Sequence, residues 1–220
     1  SDLISSKSAL TALSFVYKGE PQYSFECLTA FAGATISWIE NNLNLINDPK
    51  DSERISLELE DNGGVYVIPA FAGLSAPYWL PSAKAMFYGI TAATNFKHIV
   101  RASLESVAYQ IVAYLEYIQK NEKIDIPKII IDGGMTNNSF LMQLISNLSQ
   151  KEISIPLFPD MSSYGSLLMG FIGSGKCKNL DELEQYRVES RSFFPIKDER
   201  SMSDFTTWKE IIDKHFVNIS

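Results

Sequence analysis

The residues whose types and spacing could do chemistry lie within residues 128–143, "KIIIDGGMTNNSFLMQ", where three β-branched residues precede Asp132, Gly133 and Gly134. A strand that ends in Asp-Gly-Gly and turns directly into a helix exposes backbone N–H groups and a helix N-terminus at the carboxyl edge of a sheet. Open α/β sheets bind nucleotides at that edge. The first glycine would make the turn, and the second would let a flat ligand approach the backbone without a Cβ in between. The alternative is a tight turn that needs one glycine for its positive φ and binds nothing.

A second glycine-rich stretch, "GFIGSGKC" at residues 170–177, matches part of a phosphate-loop pattern. The residue after its lysine is Cys177, so the serine or threonine hydroxyl that would bind magnesium is missing. The preceding residues also indicate a helix and not a strand. We therefore interpret Gly173 and Gly175 as helix-ending glycines, with Lys176 favourable near a helix C-terminus.

Other reactive residue types are sparse in the sequence. His98 and His215 are far apart and no His/Cys cluster has metal-ligand spacing. Cys27 and Cys177 are also far apart, which favours two reduced packing residues over a disulfide or zinc site. Glu105 lies among apolar residues, which favours a satisfied structural carboxylate over a perturbed catalytic acid. No Gly-x-Ser-x-Gly elbow is present, and we identify no catalytic residue and no metal ligand.

The composition indicates an ordinary globular protein. With 220 residues, 45% hydrophobic and 20% charged, the chain can bury a large core, and disorder is disfavoured. Its 26 acidic residues outnumber 19 Lys and Arg, which disfavours nucleic-acid or anionic-membrane partners. No apolar run approaches the roughly 20 residues of a membrane helix, and the first residues lack a signal-peptide pattern. We therefore expect a cytoplasmic protein with no membrane span.

The elements that position the Asp-Gly-Gly segment follow from hydrophobic periodicity. Turn residues around "KGEP" predict a hairpin over about residues 8–27, and later apolar runs predict strands at 65–71, 85–90, 127–132 and 153–158. Apolar residues three and four apart predict helices over 29–46, 95–120, 137–150, 164–172, 179–187 and 204–216. Strands followed by β/α alternation indicate one α/β domain with a mixed sheet and flanking helices.

Several motifs in this order resemble one known family. Residues 85–105, "AMFYGITAATNFKHIVRASLE", resemble the second signature of the FGGY family of carbohydrate kinases. The segments "VYVIPAFAGLSAPYW" and "DGGMTNNSFLMQ" are similar to the glycerol kinases of that family in particular. The similarity is collinear from about Leu10 to the C-terminal helix, so it covers nearly the whole chain.

The resemblance implies an actin-like, ribonuclease-H-like fold in which residues 1–220 form the C-terminal lobe alone. In this family ATP or ADP, with Mg²⁺, binds in the cleft between two lobes. The Asp-Gly-Gly turn is similar to the family's adenosine motif, so nucleotide contacts pass to five residues of this chain: Gly33, Ser37, Gly133, Gly134 and Asn138. The resemblance assigns no direct magnesium ligand to this chain.

The implied reaction is transfer of the ATP γ-phosphoryl group to a glycerol hydroxyl. The catalytic carboxylate and the substrate-binding residues of the family lie in the N-terminal lobe, so the isolated chain is expected to be inactive. Two alternatives stay open: the same lobe of another FGGY sugar kinase, or a degenerate binding or oligomerisation module. Departures from the family pattern at Ser37, Leu80 and residues 162–166 support the second alternative.

The missing lobe also suggests self-association. We expect apolar area around Phe71, Tyr78 and Trp79 to be left uncovered in this chain. A homo-oligomer is the expected consequence, in addition to a nucleotide and a small polyol or sugar as partners.

Overall fold

The computed structural model describes residues 10–26, 29, 31–158 and 160–217. Within these residues, seven strands form three sheets, each with its own register. The first is the predicted hairpin of β1 (Leu10–Tyr17) and β2 (Glu20–Glu26), and the second pairs β3 (Tyr66–Ile68) with β4 (Met86–Tyr88). The third contains β5 (Lys128–Ile130), β6 (Glu152–Pro156) and β7 (Ser190–Phe193).

The third sheet is mixed, as predicted, because β5 runs parallel to β6 and β6 runs antiparallel to β7. The Lys128 ammonium pairs across β5 and β6 with the Glu152 carboxylate at 2.9 Å. The prediction of an α/β fold with a mixed sheet is therefore confirmed, and the other described strands form two separate antiparallel pairs. Strand β7 was not predicted, because its "SRSF" sequence carries polar residues where an apolar alternation would be the signal.

Six α-helices complete the described fold: α1 (Gly33–Asn41), α2 (Asp51–Leu57), α3 (Phe96–Asn121), α4 (Ser139–Ser149), α5 (Met161–Gly173) and α6 (Glu199–Ile212). Helix α1 is shorter than predicted, and Asn44, just beyond it, has a left-handed φ of 52°. The predicted helix at 179–187 is a 3-10 helix over Asp181–Tyr186, whose N-cap is Leu180 and not the predicted Asn179, although Asn179 Oδ1 accepts from the Glu182 N–H at 3.0 Å.

The core is built around α3, which contacts α1, α2, α4 and β3. Its buried residues Val100, Leu104 and Val107 follow the predicted helical spacing. Helix α6 closes the other side with Trp208, which is fully buried and donates its indole N–H to the Val67 carbonyl at 2.9 Å. Buried apolar area is the main source of stability in such a core.

Glu105 of α3 is a satisfied structural carboxylate, as predicted. It is 4% exposed and accepts hydrogen bonds from Asn62 Nδ2 at 2.9 Å and Arg101 Nε at 2.8 Å. Burial raises the pKa of Glu105, while the bonds from Arg101 and Asn62 oppose that rise. Because the Arg101 guanidinium also donates to the Ser56 carbonyl, this network joins α3 to α2.

His98 and the glycine-rich stretch at 170–177 both have structural roles. The His98 ring accepts from the Asn95 N–H at 3.1 Å and completes a capping box at the start of α3. Helix α5 ends at Gly173, and Gly175 has a φ of 77°, so the rejection of a phosphate loop agrees with the structure. Cys177 is free and buried, as expected, whereas Cys27 lies outside the described residues.

The apolar surface that this chain leaves uncovered differs from the predicted one. Of the three aromatic residues expected to be exposed, only Trp79 is, at 41%. The Phe71 ring packs on Trp38 with 4.5 Å between centroids, and Tyr78 meets Trp208 edge-on at 6.4 Å. More exposed apolar side chains include Ile130 (66%) and Leu157 (62%) around the third sheet and Leu167 (51%) on α5. Within the described ranges, no helix is both long and apolar enough to cross a membrane.

Candidate functional site

The Asp-Gly-Gly segment forms a turn between β5 and α4, which we call the glycine turn (residues 132–138). The Gly133 N–H donates to Asp132 Oδ1 at 2.7 Å, and a 3-10 helix over Gly134–Asn137 follows. Gly133 has a φ of 106°, a backbone conformation that side chains with a Cβ rarely adopt. The fold therefore requires a glycine at position 133.

Gly134 is not required by the backbone in the same way. Its φ lies outside the left-handed region, and a Cβ built there would meet no heavy atom within 4 Å. The bare backbone at Gly134 thus faces open space, although the fold would accept a side chain. This observation separates the two glycines: the first makes the turn, and the second leaves room beside it.

Two cavities flank the glycine turn, and Gly134 and Asn137 line both. The small cavity, of about 110 Å³, lies between the turn and α2 and is also lined by Pro49, Lys50, Ser52, Glu53, Met135 and Asn138. The large cavity, of about 550 Å³, lies between the turn and the ends of β6 and β7. It is also lined by Asp132, Gly133, Thr136, Ile155, Pro156, Leu157, Phe158 and Arg191. Both are largely apolar with a few polar groups, as ligand sites usually are.

Asn138 lines the small cavity and is also the N-cap of α4. Its Oδ1 accepts from the Leu141 N–H at 2.9 Å, and its Nδ2 lies 3.4 Å from Ser52 Oγ. The Ser52 hydroxyl in turn donates to the Pro49 carbonyl at 2.6 Å. The capping bond fixes the orientation of the Asn138 amide, so the rim of the small cavity carries a preset polar group.

Glu53 of α2 accepts hydrogen bonds from the backbone N–H groups at the start of α4 that Asn138 does not accept. Its Oε1 accepts from the Ser139 N–H at 2.9 Å and from the Phe140 N–H at 3.2 Å. Together with Asn138, it satisfies the first three N–H groups of the helix. The structure therefore differs from the expectation of an exposed helix N-terminus at this turn, because protein side chains already occupy it.

The sequence-predicted residues on α1 have different positions. A Cβ on Gly33 would lie 3.4 Å from Met135 Cγ, so the start of α1 packs directly against the glycine turn. Ser37 lies one helical turn further on and is half-buried, but it lines neither cavity. The structure thus brings Gly133, Gly134 and Asn138 together at the cavities, whereas Gly33 contacts only Met135 of the turn and, like Ser37, lines neither cavity.

Two contributors to the site were not found from the sequence. Arg191 of β7 donates from Nη2 to the Thr136 carbonyl at 2.7 Å, and its guanidinium lies 5.0 Å from the Phe193 ring centroid. Glu53 is the other. Its signal was available in "DPKDSE", where acids follow a proline as they do in the first turn of a helix. No comparable signal identified Arg191, because β7 itself was not predicted.

The cavities beside the glycine turn contain few groups that could act as acids, bases or nucleophiles. Asp132 is its one carboxylate besides Glu53, and it is held by the Gly133 N–H. In the part of the chain that the structure describes, no three His, Cys, Asp or Glu residues are close enough to hold a metal ion. Bare backbone, apolar walls and one oriented amide suit a flat, uncharged ring with a polar edge.

Comparison with known proteins places this site in a family context. The model of the FGGY family of carbohydrate kinases, C-terminal domain, matches residues 4–174. Glycerol kinase from Clostridium perfringens is 38% identical over 215 residues, which cover 97% of this chain and 43% of that protein. Glycerol kinase from Haemophilus influenzae is 36% identical over 213 residues, covering 96% and 42%. The chain therefore spans less than half the length of these relatives.

Solved structures agree with this assignment. Plasmodium falciparum glycerol kinase with ADP superposes with a TM-score of 0.88 at 27% identity, covering 99% of this chain and 44% of that one. Ligand-bound xylulose kinase from Lactobacillus acidophilus has a TM-score of 0.79 at 17% identity, covering 97% and 44%, and shows a common fold. By sequence and by structure, the chain belongs to the FGGY family of carbohydrate kinases and corresponds to their C-terminal domain.

Proposed function

We propose that this chain is the nucleotide-binding lobe of an ATP-dependent glycerol kinase. The complete enzyme would transfer the γ-phosphoryl group of ATP to a hydroxyl of glycerol and release ADP and glycerol 3-phosphate. The observation that carries the proposal is Gly134, whose bare backbone faces open space at a turn where the fold does not require glycine. Glycerol kinases at 36% and 38% identity favour glycerol over another sugar as substrate.

The nucleoside would lie against the glycine turn. Gly134 would provide a surface without a Cβ, Asn138 would present its oriented amide at the rim, and Gly33 would border the site from α1. Ser37 is too short to line either cavity, so its contribution to nucleotide binding would be small. A flat ring that replaces water on apolar walls gains burial, and the preset amide selects the polar edge.

The rest of the reaction would depend on groups outside this chain. ATP would supply the phosphoryl group, and Mg²⁺ would be held by its phosphates and by residues of the other lobe. Phosphoryl transfer depends on positioning and charge neutralisation from both sides of the transferred group. We therefore propose that the isolated chain binds nucleotide but does not turn over.

Calorimetric titration with ADP, and with ATP plus magnesium, tests the proposal. Gly134→Val should fold normally, since its side chain enters open space, and should abolish saturable binding because the branched side chain fills the ligand contact. Gly170→Val in α5, another position where a Cβ meets nothing within 4 Å, is the matched control and should bind like the wild type. Equal binding by all three proteins, or no binding by a well-folded wild type, would refute a nucleotide site at this turn.

We also propose that the chain is cytoplasmic and self-associates. Ile130 and Leu168 border one groove of about 360 Å³ between β5 and α5, and Ile130 and Leu167 are more than half exposed. Exposed apolar area of this kind favours association. Sedimentation should show a concentration-dependent oligomer that Ile130→Glu weakens. A strictly monomeric wild type at high concentration would contradict self-association.

A further inference from the structure

Glu53 connects α2 to the start of α4, directly after the glycine turn. One oxygen of its carboxylate accepts from both the Ser139 and the Phe140 N–H groups, and the residue also lines the small cavity. The adjacent Ser52 contacts Asn138 from the same helix. Two consecutive residues of α2 therefore contact this region: Ser52 contacts the last residue of the glycine turn, and Glu53 contacts the first two residues of α4.

A helix N-terminus ordinarily attracts anions, because its first N–H groups and the helix dipole both favour negative charge. At α4 that position is filled by the Glu53 carboxylate, which comes from a different helix and belongs to the protein itself. A phosphate that approached the same N–H groups would have to displace the carboxylate and would be repelled by its charge. The usual phosphate position of a strand-turn-helix segment is thereby blocked.

We propose that Glu53 is a positioning residue with two effects on the nucleotide site. It fixes the glycine turn against α2, and its charge reserves the turn for the uncharged part of a nucleotide. This inference deepens the proposed nucleotide-binding function and rests on it for the choice of ligand. The contact between Glu53 and α4, however, can be measured without any nucleotide.

Two substitutions separate the two effects. Glu53→Gln keeps an oxygen that can accept the N–H groups but removes the charge, whereas Glu53→Ala removes both. Glu60→Gln is the matched control for the loss of one negative charge. Glu60 is an exposed acid that lies just beyond the end of α2. Thermal unfolding monitored by circular dichroism shows that each variant is folded before it is used.

Amide hydrogen exchange followed by NMR measures the positioning effect. In Glu53→Ala, exchange protection of the Ser139 and Phe140 amides should fall about tenfold, the expected size for a lost bond to a charged acceptor. In Glu53→Gln it should stay within about threefold of the wild type, and in Glu60→Gln it should not change. Equal protection in Glu53→Ala and the wild type would overturn the positioning role.

Titrations with inorganic phosphate and with adenosine measure whether the charge of Glu53 excludes phosphate from the start of α4. Phosphate should shift the Ser139 and Phe140 amide resonances saturably in Glu53→Ala and leave them unchanged in the wild type and in Glu60→Gln. Adenosine should bind Glu53→Ala about tenfold more weakly than the wild type, because the turn is no longer held. A wild type whose amides respond to phosphate as the variant does would overturn the charge effect. A wild type that binds neither adenosine nor ADP would refute the nucleotide function alone, since the exchange and phosphate results do not depend on it.

Discussion

Helices α3 and α5 both contain many apolar residues, but they differ in how far neighbouring elements bury those residues. Helix α3 buries twelve of its residues between α1, α2, α4 and β3. Helix α5 has the more apolar composition but buries none of its residues, and Leu167 at its centre is half exposed. Periodicity and apolar composition predict that a segment is helical, whereas burial depends on which elements the fold places beside it. Helix formation and helix burial are therefore specified separately in this chain.

The largest expected difference between the two helices is in stability. Leu104→Ala in α3 should lower the free energy of unfolding by about 2–5 kcal/mol, because it leaves a cavity in a packed core. Leu167→Ala in α5, the same substitution at an exposed site, should change it by less than about 0.5 kcal/mol. Urea denaturation of both variants measures the two values, and similar losses would contradict the comparison.

A second prediction concerns the buried carboxylate of α3. Because burial raises the pKa of Glu105 in the folded state, the folded protein binds this proton more tightly than the unfolded chain does. Its contribution is fully present below the unfolded pKa and is lost as pH rises through the folded pKa. The wild type should therefore lose stability relative to Glu105→Gln as pH rises, in denaturant unfolding measured from acid to neutral pH.

Glu58 provides a control of opposite sign. The hydrogen bond from Lys97 and its charge lower the pKa of Glu58, so its contribution is present above the unfolded pKa and is lost as pH falls. The wild type should gain stability relative to Glu58→Gln as pH rises up to the unfolded pKa of a glutamate, and it should lose stability relative to Glu105→Gln as pH rises further. Parallel curves for the two variants would show that neither carboxylate governs the pH dependence.

The comparison also explains how much of the fold could be predicted. Helices α3 and α4 were predictable because strong periodicity coincides with their burial, and the largely exposed hairpin was predictable from its turn residues. Helix α2 was missed because its short sequence, "DSERISL", is mostly polar and contains three charged residues. Strand β7 was missed because it lies at an edge, where pairing with β6 and not an apolar pattern determines the structure.

The same reasoning applies to the candidate site. Gly133 and Gly134 were predictable, since glycine at a strand-to-helix turn has few explanations, and the resemblance added Gly33 and Asn138. The contacts that hold the turn come from distant parts of the chain: Glu53 lies 86 residues before Ser139, and Arg191 lies 55 residues after Thr136. Sequence periodicity contains no information about such pairings, so they required the three-dimensional structure.

A smaller effect is expected at the start of α4. Asn138→Ala should cost about 1 kcal/mol of unfolding free energy, since it removes the N-cap bond to the Leu141 N–H. The neighbouring Asn137 makes only a long 3.4 Å bond to the Gly134 carbonyl, and Asn137→Ala should cost less than about 0.5 kcal/mol. Asn138→Asp, which can still cap, should restore most of the loss. Equal losses for both alanine variants would show that capping does not hold this turn.

The smallest effect is expected at the end of α5, where a local contact takes the place of burial. The Lys176 ammonium lies 3.9 Å from the Phe171 ring centroid and 5.1 Å from that of Tyr186, which joins the helix end to the following 3-10 helix. An exposed cation–π contact contributes about 0.5–1 kcal/mol, so Lys176→Ala should destabilise by that amount and Lys176→Arg by less. Lys178→Ala, which also removes one positive charge but two residues away, is the matched control and should leave the free energy of unfolding unchanged. If both alanine variants leave the free energy of unfolding unchanged, the cation–π contact does not stabilise the end of α5, and the ring contact between Phe171 and Tyr186 joins these two elements instead.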